Sequence, residues 1–298
     1  DALAGIAFAP GRPVIVAVSG GGDSVALFHI AHAFMRSSRP DVPLIAATVD
    51  HGLRPESADE ARFVGRICAE RGIAHVIERW TEPPATGLQQ AARLARYRLL
   101  TDLARREGAS IVLTGHTEDD QAETLAMRKA RAEHGPGLSG IDEATLSARS
   151  VWFVRPMLDA RRADLRAWLS ARGLGWVDDP SNDDRAFERV RVRAELSAAD
   201  HAALNAQAAR RADERRARAL GGASCLDDRS VWRLDGGKLT LDPACMAAHH
   251  VDARMAAMAA ALAWTGRLDR QPDTARVERA PAFRAGANNG RAPPSARS

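Results

Sequence analysis

Val14-Ile15-Val16-Ala17-Val18-Ser19-Gly20-Gly21-Gly22-Asp23-Ser24, followed by Val25-Ala26-Leu27-Phe28-His29-Ile30, reads as a buried strand, a glycine-rich turn and the start of a helix. The run 14–18 is short, apolar and rich in β-branched residues, as a strand covered on both faces should be. Three successive glycines let the backbone turn sharply and approach a ligand closely. Asp23 and Ser24 fall where the helix begins, so unpaired N–H groups point outward there. Those N–H groups, the helix dipole and the hydroxyls of Ser19 and Ser24 together make a cradle for an anion. A glycine-rich turn without a ligand is the plainer alternative.

The run is not a Walker A loop, because no Gly-Lys-Ser/Thr follows, and its spacing does not fit G-x-G-x-x-G. It resembles the S-G-G-x-D-S loop of the PP-loop enzymes, the N-type ATP pyrophosphatases. That resemblance implies binding of the pyrophosphate end of ATP and activation of a substrate as its adenylate.

The whole-chain totals narrow the class. A chain of 298 residues, 45% hydrophobic and 27% charged, is expected to form about two soluble globular domains. No apolar run is long enough to span a membrane, and residues 1–5 lack the basic, then apolar, signature of a signal peptide. The cysteines Cys68, Cys225 and Cys245 are far apart, which argues against a disulfide framework, a zinc site or a cluster and fits a cytoplasmic location. Between residues 185 and 218 nine arginines face five acids, an excess equal to the net charge of +4 of the whole chain. Such a basic segment suits nucleic acid, although a solvated helix face has the same composition.

Further along, apolar strands are expected at 44–49, 73–77, 111–113 and 151–154, with helices at 57–71, 88–107 and 161–172. Ser57 to Glu60 has the form of a capping box, and Leu94, Leu99, Leu100 and Leu103 are the expected buried side of the helix 88–107. Alternating strands and helices predict an α/β fold, a doubly wound parallel sheet. Three polar clusters each follow a strand: Ser19 to Ser24, Asp50 to Arg54, and His116 to Glu123. Ligands bind beyond the carboxyl ends of strands in such sheets, so the three clusters should meet at one edge. Glu118-Asp119-Asp120 opens a helix, where acids also suit the dipole, but His116 and four acids beside a phosphate loop exceed that need. Carboxylates there could hold Mg2+ against phosphates, and Glu123 shares a helix face with Asp119 and Asp120.

Beyond residue 184 two helices are expected, at 184–196 and 200–219, then a Gly221-Gly222 linker, a hairpin at 231–241 and one helix at 245–264. The expected domains are residues 1–158, with an extension towards about 195 as the alternative boundary, then a smaller, mainly helical region 159–264, then a poorly ordered tail 265–298.

Several pieces in order resemble the tRNA(Ile)-lysidine synthetase family of bacterial PP-loop enzymes: Asp50-His51-Gly52-Leu53-Arg54; Gln90-Ala91-Ala92-Arg93 with Ala95-Arg96-Tyr97; Gly115-His116 through Asp119-Asp120-Gln121-Ala122-Glu123-Thr124; Gly137-Leu138-Ser139-Gly140; Arg155-Pro156; and Asp179-Pro180-Ser181-Asn182. The resemblance covers about residues 12–195 and departs from the family at Arg131 to Gly135 and at Arg189-Val190. It implies an adenine nucleotide alpha hydrolase-like domain. It also implies a reaction in which ATP adenylates O2 of the first anticodon cytidine of tRNA(Ile) with a CAU anticodon. The ε-amine of free lysine then attacks C2 and displaces AMP. Carried over residue by residue, Ser19, Gly20, Gly21, Gly22, Asp23 and Ser24, with His116, would bind ATP, and Asp23 and Asp120 would stand near Mg2+. Asp50, His51 and Arg54 would border the nucleotide and target base, and Asp119 and Glu123 would orient the lysine amine. Arg93, Arg96, Arg189, Arg191 and Arg193 are the candidates for tRNA phosphates, and a homodimer is one assembly the resemblance allows. A thiolating or amidating PP-loop enzyme, or a module that holds ATP without turnover, are the other readings.

Overall fold

The computed structural model of the chain describes residues 2–52, 57–81, 83–84, 86–131, 140–178, 184–186, 188–236, 238–266, 268 and 271–279. Its contacts divide the chain into two compact units, Asp1–Ala209 and Arg210–Ser298.

The first unit is built on a six-stranded sheet ordered β3-β2-β1-β4-β6-β5. The strands are β1 Val14–Ala17, β2 Leu44–Asp50, β3 Ala74–Arg79, β4 Ile111–Leu113, β5 Ala144–Ser147 and β6 Val151–Val154. All neighbours pair in parallel except β5, which runs antiparallel to β6 at the edge. Alternate residues of β1 serve opposite faces, as the two-residue period of a strand requires. Val14 and Val16 pack with Val25, Leu27 and Phe28 of α1 (Gly22–Ser38), Val64 of α2 (Ser57–Ala69) and Leu165 and Leu169 of α5 (Arg162–Ser170). Ile15 faces Leu100 and Leu103 of α3 (Leu88–Arg106) on the other side. Helices therefore cover both faces, as the α/β reading expects. The carboxyl ends of β2, β1 and β4 share one edge, and the strand order reverses between β1 and β4.

Two expectations for this unit need correction. Leu94 is 58% exposed. It stands nine residues before the buried Leu103, about half a turn out of phase at roughly 100° per residue, so it leaves the stripe that faces the sheet. Strand β5 was not expected at all. The turn joining it to β6 places Ala148 at φ 44° and Arg149 at φ 57°, conformations that usually select glycine or asparagine. Arg105 of α3 braces that turn, donating from Nη2 to the Ala148 carbonyl at 3.0 Å and from Nε to Ser150 Oγ at 3.2 Å.

Helix α4 (Glu118–Ala130) buries Ala122 and Leu125 against Leu204 and Ala208 at the start of α7 (Ala198–Asp227). The short α6 (Glu188–Glu195) precedes α7.

In the second unit, Gly221 and Gly222 are not a linker but lie inside α7. A Cβ on Gly222 would stand 2.7 Å from the Ala256 Cβ of α9 (Val251–Thr265), so the glycine lets the two helices approach closely. The expected hairpin is present as β7 (Trp232–Asp235) and β8 (Lys238–Leu241). The single helix expected at 245–264 is two, α8 (Pro243–Ala247) and α9. Asp242 caps α8, and His249, in the break between them, pairs through Nε2 with Asp228 Oδ2 at 2.9 Å. Part of the expected tail is also helical: α10 (Thr274–Glu278), capped by Asp273, buries Val277 in the core with Trp232, Met246 and Met258. Residues 280–298 lie outside the described residues. Among the described residues no helix is long and apolar enough to cross a membrane.

Candidate active site

The glycine-rich turn is held from within. Ser24 Oγ donates to the Gly21 carbonyl at 2.9 Å and accepts the Ser19 backbone N–H at 3.1 Å, and the two serine hydroxyls stand 3.2 Å apart. Gly20 has φ 95°, where a side chain would be strained. Its carbonyl accepts the Val177 N–H at 2.9 Å, so the segment after α5 lies along the loop. Trp176 and Arg166 flank Gly22: an added Cβ would lie 3.6 Å from Trp176 Cδ1 and 3.5 Å from Arg166 Cγ. Arg166 donates to Asp178 Oδ1 at 2.8 Å. Gly115, just past β4, is closer still, since a Cβ there would lie 3.0 Å from the Asp23 carbonyl oxygen.

Beside this loop the acids of α1 and α4 converge on arginines. Arg162 reaches Asp23 Oδ2 through Nε at 2.9 Å, Asp120 Oδ1 through Nη2 at 3.2 Å and Glu123 Oε1 through Nη1 at 3.4 Å. From α6, Arg189 Nε lies 2.9 Å from Glu123 Oε2, and Arg193 Nε lies 2.7 Å from Glu123 Oε1. Glu123 is fully buried, which a carboxylate tolerates only with such pairing. Asp120 also closes the start of α4, accepting from both the Thr117 backbone N–H and Thr117 Oγ1 on Oδ2.

These neighbours set the protonation of the groups. Burial raises the Asp23 carboxyl above its usual range, and Arg162 opposes that only in part. Burial pushes Asp120 the same way, but Arg189 and Arg162 outweigh it and hold Asp120 below the usual range. Arg162 is raised, since Asp120, Asp23 and Glu123 overcome the cost of its burial. His116, bonded through Nδ1 to Thr114 Oγ1 at 3.1 Å, is lowered to about 4, chiefly by burial.

The Asp50 cluster forms a second neighbourhood at the same edge. Asp50 Oδ1 accepts the Gly52 N–H at 2.9 Å and the Ser57 hydroxyl at 2.8 Å, which hold its carboxyl below the usual range. His51 meets the Trp80 ring edge-on at 5.7 Å, with its Nε2 3.4 Å from Arg96 Nη2. Burial lowers His51 to about 4. Arg93 lies over the Tyr97 ring at 5.3 Å.

A family model described as a PP-loop domain matches residues 4–199. The chain belongs to the PP-loop family. Among curated relatives it is 43% identical over 270 residues to the tRNA(Ile)-lysidine synthase of Mesorhizobium japonicum, covering 88% of this chain and 59% of that one. It is 47% identical over 197 residues to the tRNA(Ile)-lysidine synthase of Rhizobium meliloti, covering 62% of this chain and 44% of that one. The protein of the same name from Brucella ovis is 48% identical over 190 residues, covering 63% and 42%. The chain thus spans about half the length of the curated relatives it matches. Among solved structures it shares its fold with the U34-tRNA thiolase NcsA from Methanococcus maripaludis, with a TM-score of 0.60 and 16% identity over 71% of this chain and 76% of that one.

In PP-loop terms, the expected loop residues and Asp23, Asp120 and Glu123 form one cluster. Asp119 does not join it directly: its Oδ2 accepts the backbone N–H of Arg162 at 2.8 Å, and its other side lines a hollow with Glu118, His201 and Asn205. Asp50, His51 and Arg96 share the second neighbourhood, with no bond to the acid cluster among the described residues. Arg191 donates to the Arg185 and Ala186 carbonyls, while Arg189 and Arg193 turn inward onto Glu123. Arg54, the motif residues 137–139, the altered loop 132–135 and the residues 179–182 lie outside the described residues. Arg162 and Arg166 were not anticipated. A cation in the first turn of a helix opposes the dipole, so Arg162 at the start of α5 was a signal that acids must lie opposite.

Proposed function

We propose that this chain is an ATP-dependent, tRNA-modifying ligase. It joins free lysine to C2 of the first anticodon cytidine of tRNA(Ile) with a CAU anticodon, through an adenylated tRNA, giving lysidine, AMP and pyrophosphate. The observation that carries this reading is the 43% identity to a tRNA(Ile)-lysidine synthase over 88% of this chain. The PP-loop and its three clustered carboxylates are the chemistry such a reaction needs. A cytoplasmic location goes with it.

In this reading Ser19, Gly20, Gly21, Gly22 and Ser24 receive the pyrophosphate end of ATP on backbone N–H groups and hydroxyls. His116, neutral near pH 7, presents no charge to the nucleotide. The donor set suits Mg2+, which is usually held by one or two carboxylates plus phosphate oxygens. Asp23 Oδ1 is buried and accepts no hydrogen bond among the described residues, and Asp120 stands beside it on the same arginine. Bound there, the ion would offset phosphate charge.

Adenylation turns a poor oxygen leaving group into a good one, so the protein's task is positioning and charge neutralisation. Asp50 and His51 border the nucleotide and target base, with His51 uncharged against Trp80, and Arg54, outside the described residues, is assigned with them on the sequence motif alone. Asp119 orients the lysine amine, while Glu123, fully buried, serves to hold the arginines around it. Arg189 and Arg193 neutralise Glu123, which leaves Arg93, Arg96 and Arg191 as the candidates for tRNA phosphates.

The test is incorporation of labelled lysine into an unmodified tRNA(Ile) transcript with a CAU anticodon, with ATP and Mg2+. Label is expected there and not in a transcript that lacks the first anticodon cytidine. Pyrophosphate release without label would overturn lysine as nucleophile. Neither label nor pyrophosphate release would overturn the ligase.

A further inference from the structure

We propose that Arg162 is a positioning residue that acts as the resident cation of the carboxylate cluster. It holds Asp23 and Asp120 in place for a metal–nucleotide complex and keeps free divalent ions out. The identity of that complex as Mg2+ with ATP rests on the function proposed above.

Three observations carry the inference. First, one guanidinium serves three acids from two different helices. Its Nε, Nη2 and Nη1 are each directed at a different carboxylate, Asp23, Asp120 and Glu123, at 2.9, 3.2 and 3.4 Å. The planar fork of arginine has donors for this, and a lysine ammonium does not have the reach. Second, the backbone of Arg162 is tied as well, through its N–H to Asp119 Oδ2 at 2.8 Å. Third, the acids depend on it unequally. Glu123 keeps Arg189 and Arg193 without it. Asp120 would keep Arg189 at only 4.0 Å. Asp23 has Arg162 as its ion-pair partner among the described residues, and its second oxygen is already unpartnered.

Removing Arg162 therefore frees Asp23 and Oδ1 of Asp120, the carboxylates assigned to the metal, while Thr117 still holds Asp120 Oδ2 and Glu123 stays neutralised. With the guanidinium in place, an incoming free cation meets a positive charge at contact distance from both. A nucleotide changes the balance, because its phosphate oxygens can accept the N–H groups that the carboxylates give up. Metal binding then becomes conditional on nucleotide, and the site does not fill with divalent ions in its absence.

The experiment measures Mn2+ binding, as a probe for Mg2+, to the full chain without nucleotide, by calorimetry or by the spin-resonance signal of the free ion. Arg162→Met is expected to raise the nucleotide-free affinity at least about tenfold over the unmodified chain. The double variant Arg162→Met with Asp23→Asn is expected to return it to the starting value, which places the gained ion at this cluster. Where Arg162→Met does not fold, by circular dichroism, Arg162→Gln is read in the same way, since it is neutral and keeps hydrogen bonds to the carboxylates. Unchanged Mn2+ affinity in a folded variant overturns the inference, as does a gain that survives Asp23→Asn. Failure of the unmodified chain to bind ATP with Mn2+ counts against the proposed function instead, and leaves the nucleotide-free comparison readable.

Discussion

Arg162 Nε lies 2.9 Å from Oδ2 of Asp23, although 139 residues of chain separate them. That contact joins the start of α1 to the start of α5 at the edge where the strand order reverses. It also makes the charge balance of the phosphate loop depend on a residue that follows the last strand of the sheet.

Glu123 is the acid that the arginines hold most firmly. Glu123→Leu should destabilise the first unit by about 2–4 kcal/mol, because Arg189 and Arg193 lose their carboxylate partner. Both arginines keep about a third of their side-chain surface in water, at 38% and 34%, which holds the loss below that of a fully buried pair. Urea unfolding of the variant against the parent chain measures it.

Gly115→Ala tests the seating of the loop. The new Cβ would press on backbone, 3.0 Å from the Asp23 carbonyl oxygen and 3.1 Å from Ser24 Cα, and neither can rotate away. The expected result is a folded protein whose dissociation constant for ATP rises about tenfold, a cost of about 1.4 kcal/mol, by calorimetry. An unchanged affinity would show that the loop can shift without losing its ligand.

Gly221 and Gly222 should respond unequally to alanine. Alanine gains about 1 kcal/mol of helix propensity over glycine. At Gly221 the nearest atom to an added Cβ is Ala253 Cβ at 3.2 Å, a tight contact that α9 must yield to by a few tenths of an ångström, so the propensity gain is offset and Gly221→Ala should leave stability about unchanged. At Gly222 the 2.7 Å approach to Ala256 Cβ forces α7 and α9 apart, and Gly222→Ala should lose about 1–2 kcal/mol net. Thermal unfolding of the pair reads the difference.

Acid should weaken the fold through its buried histidines before it protonates most carboxylates. His29, His51 and His116 are each lowered from 6.5 to about 4, first by burial. Between those values the unfolded chain binds more protons than the folded one. Stability therefore falls as pH drops from about 6.5 towards 4 and is regained on return. His29 lies in the core away from the site, 6% exposed, so His29→Leu should flatten that slope by about 1–3 kcal/mol over the window without altering the acid cluster. Denaturant titrations at pH 7 and pH 4.5 give the comparison.

What could be read from the amino acids divides along physical lines. Strands β1 and β4 are continuous apolar runs, and burial on both faces leaves that signature locally, while β2, which ends in Asp50, and β6, which exposes Trp152, are apolar enough to read as strands. Asp23, Asp120 and Glu123 were legible because each follows a strand end or shares a helix face with a residue that does. Arg162 left only one mark, a cation where the helix dipole disfavours it, because the acids it serves are 39 to 139 residues away in sequence. Arg189 and Arg193 carried a readable charge but no readable direction. The same positive helix can face phosphate or turn inward, and only the burial of Glu123 decides which. Strand β5 hid behind a turn made of Ala148 and Arg149, and Gly221-Gly222 read as a linker because close approach to α9 leaves no mark in the adjacent residues.

The ion cluster is also ordered along the chain, acids before cations. Its acids come from residues 23, 120 and 123, its cations from residues 162, 189 and 193. A nascent chain emerging from its N-terminus completes the phosphate loop and all three carboxylates before any arginine that neutralises them has been made. Without residue 162 and the arginines after it, burying these acids would cost the desolvation of unpaired carboxylates. A truncated product that stops short of α5 keeps the glycine-rich motif and its three acids without any of the arginines that pair with them.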